Sequence, residues 1–246
     1  MRLVRHCFIA FTAVFTSLNC SAIDFDDPVK LATHNLAPYG SYPDNQPKEY
    51  VAGPQFKGQA VDTVRCAFSQ LKLPLEIYVA PWKRAQELAL SGEMDGFFAA
   101  SQKPERDRFA QMSITIAEQN WTWFFLKEAT LKPSNLTFKQ HASVASFNGA
   151  NMQSWLQNNN YKVSANPIDT NKLHQMLLRG RIDAALANNL VMGELLKQTK
   201  TSGKIESSLL MNKPLSVYFT NRFLDTAPQF LNAFNQAVTQ CRKSSS

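Results

Sequence analysis

The chain contains two copies of one short unit, and this internal repeat is the feature that most limits its fold. The segments 84–101 and 172–189 align without a gap, at a constant offset of 88 positions. In each copy a helical pattern ends at a glycine, and an aspartate three residues later precedes a short apolar run. The copies lie in different halves of the chain, which predicts two similarly built lobes. Chance is the alternative, since helix–glycine–strand units recur throughout α/β proteins.

The matched residues have definite structural roles. Gly92 and Gly180 each follow a helical pattern, which is the position of a left-handed helix cap. The apolar runs after them are typical of parallel strands that are covered on both faces. We expect Asp95 and Asp183 to be structural and to tie the entrance of the strand in both copies.

The first 22 residues have the features of a secretory leader peptide. Arg2 and Arg5 precede an apolar core over residues 8–18, and small residues before position 23 predict cleavage after Ala22. This core is about half as long as a membrane-spanning helix. We therefore expect an exported, periplasmic protein. A lipid anchor on Cys20 is the alternative, disfavoured because no small residue directly precedes this cysteine.

Size and charge fit an ordinary two-lobed protein and disfavour a nucleic-acid binder. Without the leader, about 224 residues remain, enough for two lobes of about 100 residues each. The leader contains two of the 26 basic residues and none of the 19 acidic ones, so the mature net charge is +5. These charges form no block and no nucleic-acid module. The remaining histidines lack metal-site spacing, so we expect no metal. We also expect no cofactor and a monomer.

Two cysteines remain after the leader, Cys66 and Cys241. On a helix over residues 58–71, Cys66 lies opposite the apolar stripe, so its side needs a covering partner. The last helix, for which Thr226 and Gln229 form an apparent capping box, presents Cys241 on its own apolar face. In an oxidising compartment this predicts a Cys66–Cys241 disulfide. Two unpaired thiols are the alternative.

The order of short motifs along the chain resembles a known family. These motifs are strand 29–33, Ala37-Pro38-Tyr39, the helix start at residues 56–62, strand 75–80, Pro81-Trp82, residues 91–95, residues 101–106 and Phe109. They resemble the family 3 extracellular solute-binding proteins, the polar amino-acid receptors of bacterial ABC importers. The resemblance covers the mature chain and is strongest over residues 81–113. It implies a two-lobed α/β fold, each lobe a mostly parallel sheet flanked by helices, that closes on a small ligand.

The resemblance also implies how the chain is divided. In this family the chain leaves the first lobe, builds the second and returns. The crossovers are expected near residues 118–123 and 210–215, where Pro214 interrupts a strand pattern. Lobe 1 would comprise residues 23–119 and 213–246, and lobe 2 would comprise residues 120–212. A membrane component of an ABC transporter is the expected partner.

Arg106 is the first candidate ligand-binding residue. It matches the arginine with which the family grips the ligand's carboxylate, and a guanidinium can pair both carboxylate oxygens with two parallel hydrogen bonds. The alternative is that Arg106 pairs with Glu105 or Asp107 on a solvated turn. Ser101 matches a second carboxylate contact at the end of the same strand.

Four further residues are weaker candidates for the ligand site. Trp82 matches an aromatic residue that stacks on the ligand, although plain core packing explains it equally well. Arg84 would add a second positive charge to the cleft or lie in solvent. Tyr39 follows the first strand in a loop that forms the near wall of the cleft. Asn151 stands where the family places a polar group and the N–H groups at a helix start.

Asn188 is a further candidate ligand-binding residue and a departure from the family's pattern. In the amino-acid receptors the strand of the second copy ends in an acid that neutralises the ligand's ammonium, whereas here it ends in asparagine. A buried ammonium without a counter-charge is costly. Either another acid, such as Asp62 or Glu118, replaces it, or the ligand is not an ordinary amino acid.

Two other functions remain open. Some relatives of these receptors resemble cyclohexadienyl dehydratases, which would need a general acid or base near the arginine. His34, Glu105 and Glu118 are the candidates, and none lies in a recognisable catalytic signature. The protein could also stand alone or serve a sensor rather than a transporter.

Overall fold

The computed structural model describes residues 25, 27–43 and 50–244, so the leader peptide predicted at residues 1–22 lies outside the described part. Within these ranges, every helix is too short or too polar to span a bilayer.

The described residues contain eleven strands, which form two sheets. The strands are β1 (Val29–Thr33), β2 (Tyr50–Val51), β3 (Leu75–Val79), β4 (Gly96–Ala100), β5 (Ala110–Met112), β6 (Asn120–Leu126), β7 (Ser143–Ala145), β8 (Lys162–Val163), β9 (Ala184–Asn188), β10 (Ile205–Asn212) and β11 (Ser216–Thr220). The first sheet has the order β2-β3-β1-β4-β11-β5, and the second has the order β10-β6-β9-β7-β8.

Nine α-helices flank these sheets in the described ranges. They are α1 (Gln59–Leu71), α2 (Trp82–Ser91), α3 (Pro104–Asp107), α4 (Phe138–His141), α5 (Asn151–Asn158), α6 (Thr170–Leu178), α7 (Asn189–Gln198), α8 (Asn221–Thr226) and α9 (Phe230–Ser244). The expected capping box before α9 is wrong. Thr226 is the last residue of α8, and its hydroxyl donates to the Phe223 carbonyl at 2.7 Å.

The two sheets repeat one arrangement. In the first, β3, β1 and β4 run parallel and β11 is antiparallel to β4. In the second, β8, β7 and β9 run parallel and β6 is antiparallel to β9. The strands β4 and β9 belong to the two copies of the sequence repeat. The predicted α/β class is therefore confirmed, with parallel strands at the centre of two mixed sheets.

The residues shared by the two copies perform the same work in each sheet. The glycines that follow α2 and α6 have φ angles of 83° and 62°, as their left-handed cap positions require. A carboxylate oxygen of Asp95 accepts from the Lys30 N–H at 2.8 Å, and that of Asp183 accepts from the Ser143 N–H at 2.7 Å. Each aspartate thus ties its strand to the neighbouring parallel strand, which confirms their structural role.

The chain passes between the sheets twice, and the two passages lie side by side. Ala117 and Leu215 form an antiparallel bridge, and the Lys213 N–H donates to the Gln119 carbonyl at 2.9 Å. The side-chain amide of Gln119 also donates to the Lys213 carbonyl at 2.8 Å. Two hydrogen-bonded connections therefore join the sheets next to the site described below.

The predicted disulfide is present. Helices α1 and α9 pack together on the first sheet through Phe68 and Phe234, whose ring centroids lie 5.7 Å apart. Beside this contact Cys66 and Cys241 are bonded, with their Cα atoms 6.0 Å apart and 175 positions apart in sequence. The bond thus links the returning C-terminal helix to the beginning of the first lobe.

Replacing both cysteines by serine should lower the free energy of unfolding by about 2–5 kcal/mol, because the bridge restrains a long loop of the unfolded chain. Guanidinium unfolding of the wild type and of the Cys66→Ser/Cys241→Ser variant measures this difference. A reductant should destabilise the wild type and leave the variant unchanged. Two titratable thiols in the unfolded, unreduced wild type would contradict the bridge.

Candidate functional site

The candidate site lies between the two sheets, where the carboxyl ends of their parallel strands meet. His34 follows β1, Ser101 follows β4 and Asn188 ends β9. Ligands of open α/β sheets bind at this edge because the loops beyond the strand ends leave a crevice there. Here the crevice contains an inner cavity of about 40 Å³, which residues from both lobes line.

Five of the residues predicted from the sequence line this inner cavity together. They are Trp82, Ser101, Arg106, Asn151 and Asn188. They come from α2, from the loop and helix after β4, from the start of α5 and from the end of β9. The structure therefore brings residues from both copies of the repeat into one place.

The Arg106 guanidinium is buried and held in a fixed position. Its Nε–H donates to Gln86 Oε1 at 3.0 Å, and its Nη1–H donates to the Ser101 carbonyl at 2.5 Å. Glu105 instead pairs with Lys103 at 3.8 Å, and Asp107 accepts from the Tyr218 hydroxyl at 2.8 Å. Arg106 is thus not a partner in a solvated acidic turn.

Aromatic rings complete the surroundings of Arg106. Its guanidinium carbon lies 5.3 Å from the centre of the Trp82 ring and 5.8 Å from that of Phe97. Burial lowers the pKa of Arg106 to about 10, which still leaves it positively charged at neutral pH. Of its five N–H groups, two are used by the bonds above, and three have no partner among the described residues.

Asn151 and Ser101 connect the two lobes across the cavity. The Asn151 side-chain amide donates to the Ser101 hydroxyl at 3.2 Å and to the Gln102 carbonyl at 2.9 Å. Asn151 is also the first residue of α5, so the free N–H groups of this helix start beside the cavity.

Tyr39 and Asn188 form a second connection between the lobes. The Asn188 Nδ2 group donates to the Tyr39 hydroxyl at 3.1 Å and to Gln119 Oε1. The Asn188 Oδ1 atom accepts from the N–H groups of Leu190 and Val191 at 2.9 and 3.1 Å, so the same side chain caps α7. Tyr39 therefore contacts a residue that lines the cavity, although it does not itself line it.

Arg84 is, with Tyr39, one of the two predicted site residues that do not line the cavity. Its side chain is half exposed and forms an ion pair with Glu93 at 3.8 Å. Because Arg84 and Trp82 are two positions apart on α2, their side chains point about 200° apart around the helix. Trp82 faces the cavity, and Arg84 faces solvent.

Several lining or supporting residues were not assigned to the ligand site from the sequence. His34 was considered only as a catalytic group, although its position directly after a parallel strand could have placed it here. Gln86 and Gln119 carried no such signal, because their contacts depend on the tertiary structure. Ala99 lines the cavity with a φ of 62°, at a bulge where β4 pairs with β11. A bulge redirects the chain, and Ser101 lies two residues beyond it.

His34 is the polar lining residue with the most unusual surroundings. Its ring lies 4.5 Å from the Trp82 ring, and its Nδ1 atom is buried without a partner among the described residues. Burial and, secondly, the positive charge of Arg106 lower the pKa of His34 to about 3. The imidazole is therefore neutral at physiological pH.

Two larger openings adjoin the inner cavity. One of about 340 Å³ shares His34, Trp82 and Phe147 with it and continues outward. The other, of about 290 Å³, lies between Leu36 and α7. The crevice thus has a narrow, charged inner cavity and wider, mostly apolar openings outside it. We call the opening lined by Trp82 and Phe147 the outer cavity.

The profile of the bacterial extracellular solute-binding proteins, family 3, matches residues 38–246. The chain belongs to this family. No curated protein matched it in a sequence search. This membership confirms the resemblance seen in the sequence. The family is one of extracellular proteins.

Solved structures of the family's fold superimpose on nearly the whole chain. The GluR0 ligand-binding core from Nostoc punctiforme, in complex with L-glutamate, has a TM-score of 0.70 and 14% identity, over 89% of this chain and 94% of that one. A histidine kinase sensor domain similar to periplasmic binding proteins has a TM-score of 0.74 and 14% identity, over 89% and 91%. The ancestral amino-acid-binding protein AncCDT-1, a precursor of cyclohexadienyl dehydratase, has a TM-score of 0.68 and 16% identity, over 89% and 91%. At these identities the likeness shows the two-lobed fold.

Acidification should destabilise the protein through His34. The folded-state pKa of His34 is about 3 against an ordinary value of 6.5, so the unfolded chain takes up this proton first as the pH falls. The contribution of neutral His34 to the free energy of unfolding is complete above about pH 6.5. It is lost as the pH falls toward 3, at up to about 1.4 kcal/mol per pH unit.

Urea unfolding between pH 7 and pH 4 measures this effect in the wild type and in His34→Gln. The free energy of unfolding should depend less steeply on pH in the variant, by up to the slope that one proton contributes. His174, whose pKa burial also lowers, contributes equally to both proteins and cancels. Equal slopes would show that His34 is not held neutral.

Proposed function

We propose that the protein captures a small carboxylate-bearing ligand between its lobes. The observation that carries this proposal is a buried, positively charged guanidinium, that of Arg106, facing a cavity with three N–H groups unused by the described residues. Burying a charge is costly unless it is paired and hydrogen-bonded. A carboxylate supplies both the opposite charge and two acceptors in the geometry of the guanidinium fork.

The fixed position of Arg106 favours binding. Because Gln86 and the Ser101 carbonyl hold the guanidinium, little side-chain freedom is lost when a ligand arrives. Each charged hydrogen bond contributes about 1.5–3 kcal/mol. A fork, the Ser101 hydroxyl and the α5 N–H groups together suffice for micromolar affinity.

We propose that the lobes separate to admit the ligand. The inner cavity of about 40 Å³ is smaller than typical ligand sites of about 300–1,000 Å³. The contacts that span the crevice at Asn151 and Asn188 are neutral hydrogen bonds, which contribute about 1 kcal/mol each. Rotation about the two adjacent connections would break them without disturbing either sheet.

We further propose that lobe 1 comprises residues 23–119 and 213–246 and lobe 2 comprises residues 120–212. The membership of the strands in the two sheets supports this division. The extracellular family and the leader-like sequence at residues 1–22 support a periplasmic location.

The proposed partner is the membrane component of an ABC importer. A substrate-binding protein of an amino acid ABC transporter has the same fold, with a TM-score of 0.65 and 15% identity over 89% of this chain and 95% of that one. A signalling protein is the alternative partner, because a histidine kinase sensor domain shares the fold. Co-purification with the permease that neighbouring genes encode would distinguish the two.

A dehydratase is the second candidate function, because AncCDT-1 shares the fold. The surroundings of the cavity argue against it. The Glu118 carboxylate forms an exposed ion pair with Arg242 at 2.7 Å, and Glu105 is exposed beside Lys103. His34 is a weak base, since its pKa is about 3, whereas general catalysts work best with a pKa near the working pH. Turnover of prephenate or arogenate to aromatic products would overturn the binding-protein proposal.

Replacing Arg106 should abolish tight binding. A thermal-shift screen of amino acids, organic acids and small peptides identifies a carboxylate ligand, and calorimetry then measures its Kd. Arg106→Ala should raise the Kd about 100-fold or more, because the charged fork is lost. Arg106→Lys keeps the charge but not the fork and should raise it about tenfold or more.

Arg108→Ala is the matched control, since Arg108 is exposed on the same short segment. It should leave the Kd within about threefold, as expected for a solvated charge. Unchanged affinity in a folded Arg106 variant would contradict the site assignment.

A further inference from the structure

The charges around the inner cavity are one-sided. Arg106 contributes a cation, and no aspartate or glutamate is among the described residues that line the cavity. The two acids proposed from the sequence as substitutes do not reach it. Asp62 lies on the exposed face of α1, and Glu118 pairs with Arg242 outside the crevice. A ligand ammonium placed beside Arg106 would therefore meet like charge.

Every hydrogen-bonding position of Asn188 is used when the lobes are in contact, and its acceptor positions are used within lobe 2. An asparagine side chain offers two acceptor positions and two donors. The N–H groups of Leu190 and Val191 take both acceptor positions, and Tyr39 and Gln119 take both donors. The amide at the end of β9 is thus a structural junction between α7 and lobe 1, and it can neither neutralise nor hydrogen-bond an ammonium.

His34 is held in its neutral form inside the crevice. Its imidazole lines the same cavity, and its pKa is lowered by burial and by the charge of Arg106. A protonated nitrogen at this place is therefore disfavoured. The unpartnered Nδ1 atom of the neutral ring can instead accept from a hydroxyl or, in the other tautomer, donate to a carbonyl oxygen.

The outer cavity indicates the shape of the rest of the ligand. It has a volume of about 340 Å³, and Leu36, Pro81, Trp82 and Phe147 contribute apolar surface to it. Asp169 is the carboxylate at its rim, where it is exposed and accepts from the Lys172 N–H at 2.7 Å as the cap of α6. An apolar or aromatic body fits this space.

We infer that the ligand is a carboxylic acid without an α-ammonium group, carrying hydrogen, a hydroxyl or an oxo group there and an apolar or aromatic body. This inference rests on the proposed function, because it assumes that Arg106 binds a carboxylate. The body occupies the outer cavity, which His34 also lines. An amino acid of the same shape would bring an uncompensated positive charge into a buried, positive site.

Matched ligands test the inference on the wild-type protein. Calorimetry compares each amino acid with its 2-hydroxy, 2-oxo and unsubstituted counterparts, for example phenylalanine with 3-phenyllactate, phenylpyruvate and 3-phenylpropionate, and likewise for the leucine, alanine and glutamate series. The best acid without an ammonium should bind at least about tenfold more tightly than its amino acid, a difference of about 1.4 kcal/mol.

The outcomes separate the two proposals. If an amino acid binds as tightly as its counterparts or more tightly, and Arg106→Ala abolishes this binding, the inference is wrong and the proposed function stands. If no member of any series binds, both are overturned. A preference for the acid without an ammonium that disappears in Arg106→Ala supports both.

Two variants that introduce a negative charge test whether the missing carboxylate at the end of β9 sets the preference. Asn188→Asp places a carboxylate at the end of β9, where one oxygen can still cap α7 and the Tyr39 hydroxyl can donate to the carboxylate. The ratio of amino-acid affinity to that of its 2-hydroxy counterpart should rise at least about tenfold.

Asn189→Asp is the matched control. Asn189 accepts from the Asn120 N–H at 2.9 Å, which an aspartate can also do, and it does not line the cavity. It should leave the affinity ratio unchanged. A ratio that stays the same in a folded Asn188→Asp, or that changes equally in both variants, would show that the missing carboxylate at the cavity does not set the preference.

Discussion

The burial of one positive charge, that of Arg106, is the constraint around which the site is organised. An isolated guanidinium cannot be taken out of water without hydrogen bonds and favourable contacts. The first copy of the repeat supplies them, with Gln86 from α2 and the Ser101 carbonyl from the end of β4. Trp82 and Phe97 add the faces of their rings. The same groups that stabilise the buried charge also aim its remaining N–H groups at the cavity.

The two copies of the repeat share a backbone but not a chemistry. Both follow a helix with a left-handed glycine, and both tie the strand entrance to a neighbouring strand through an aspartate. After β4 the chain forms the site that holds the Arg106 guanidinium. After β9 it builds a neutral amide junction at Asn188. A repeated backbone brings two strand ends to the same crevice, and the side chains that follow decide which charges the crevice contains.

The hydrogen bonds between the lobes are made by a few neutral groups. Asn151 reaches Ser101 and Gln102, and Asn188 reaches Tyr39 and Gln119. Such bonds contribute little net free energy because water replaces them when the lobes part. A ligand that pairs with Arg106 adds a stronger interaction to the closed form, so the difference between the two forms can be set by the ligand. The adjacent connections at Gln119 and Lys213 keep the lobes together during such a change.

Much of the fold follows from the sequence because its signals are local. The glycine caps, the paired aspartates and the buried strands of the repeat were all readable from the order of residue types, and so was the Cys66–Cys241 pairing from two helix faces. The sequence also placed Trp82, Ser101, Arg106, Asn151 and Asn188 as candidates for one site, and the structure brings these five residues to one cavity.

The tertiary structure alone decided what these groups have as partners. It directed the Arg84 side chain toward solvent, ended α8 at Thr226 and brought Gln86 to Arg106, 20 positions away in sequence. It also filled every hydrogen-bonding position of Asn188 and enclosed His34 near the positive charge of Arg106. The sequence by itself determined which chemical groups are present and which strands and helices carry them. Only folding decided which of these groups face one another, because burial, pKa and hydrogen-bond capacity depend on neighbours distant in the chain.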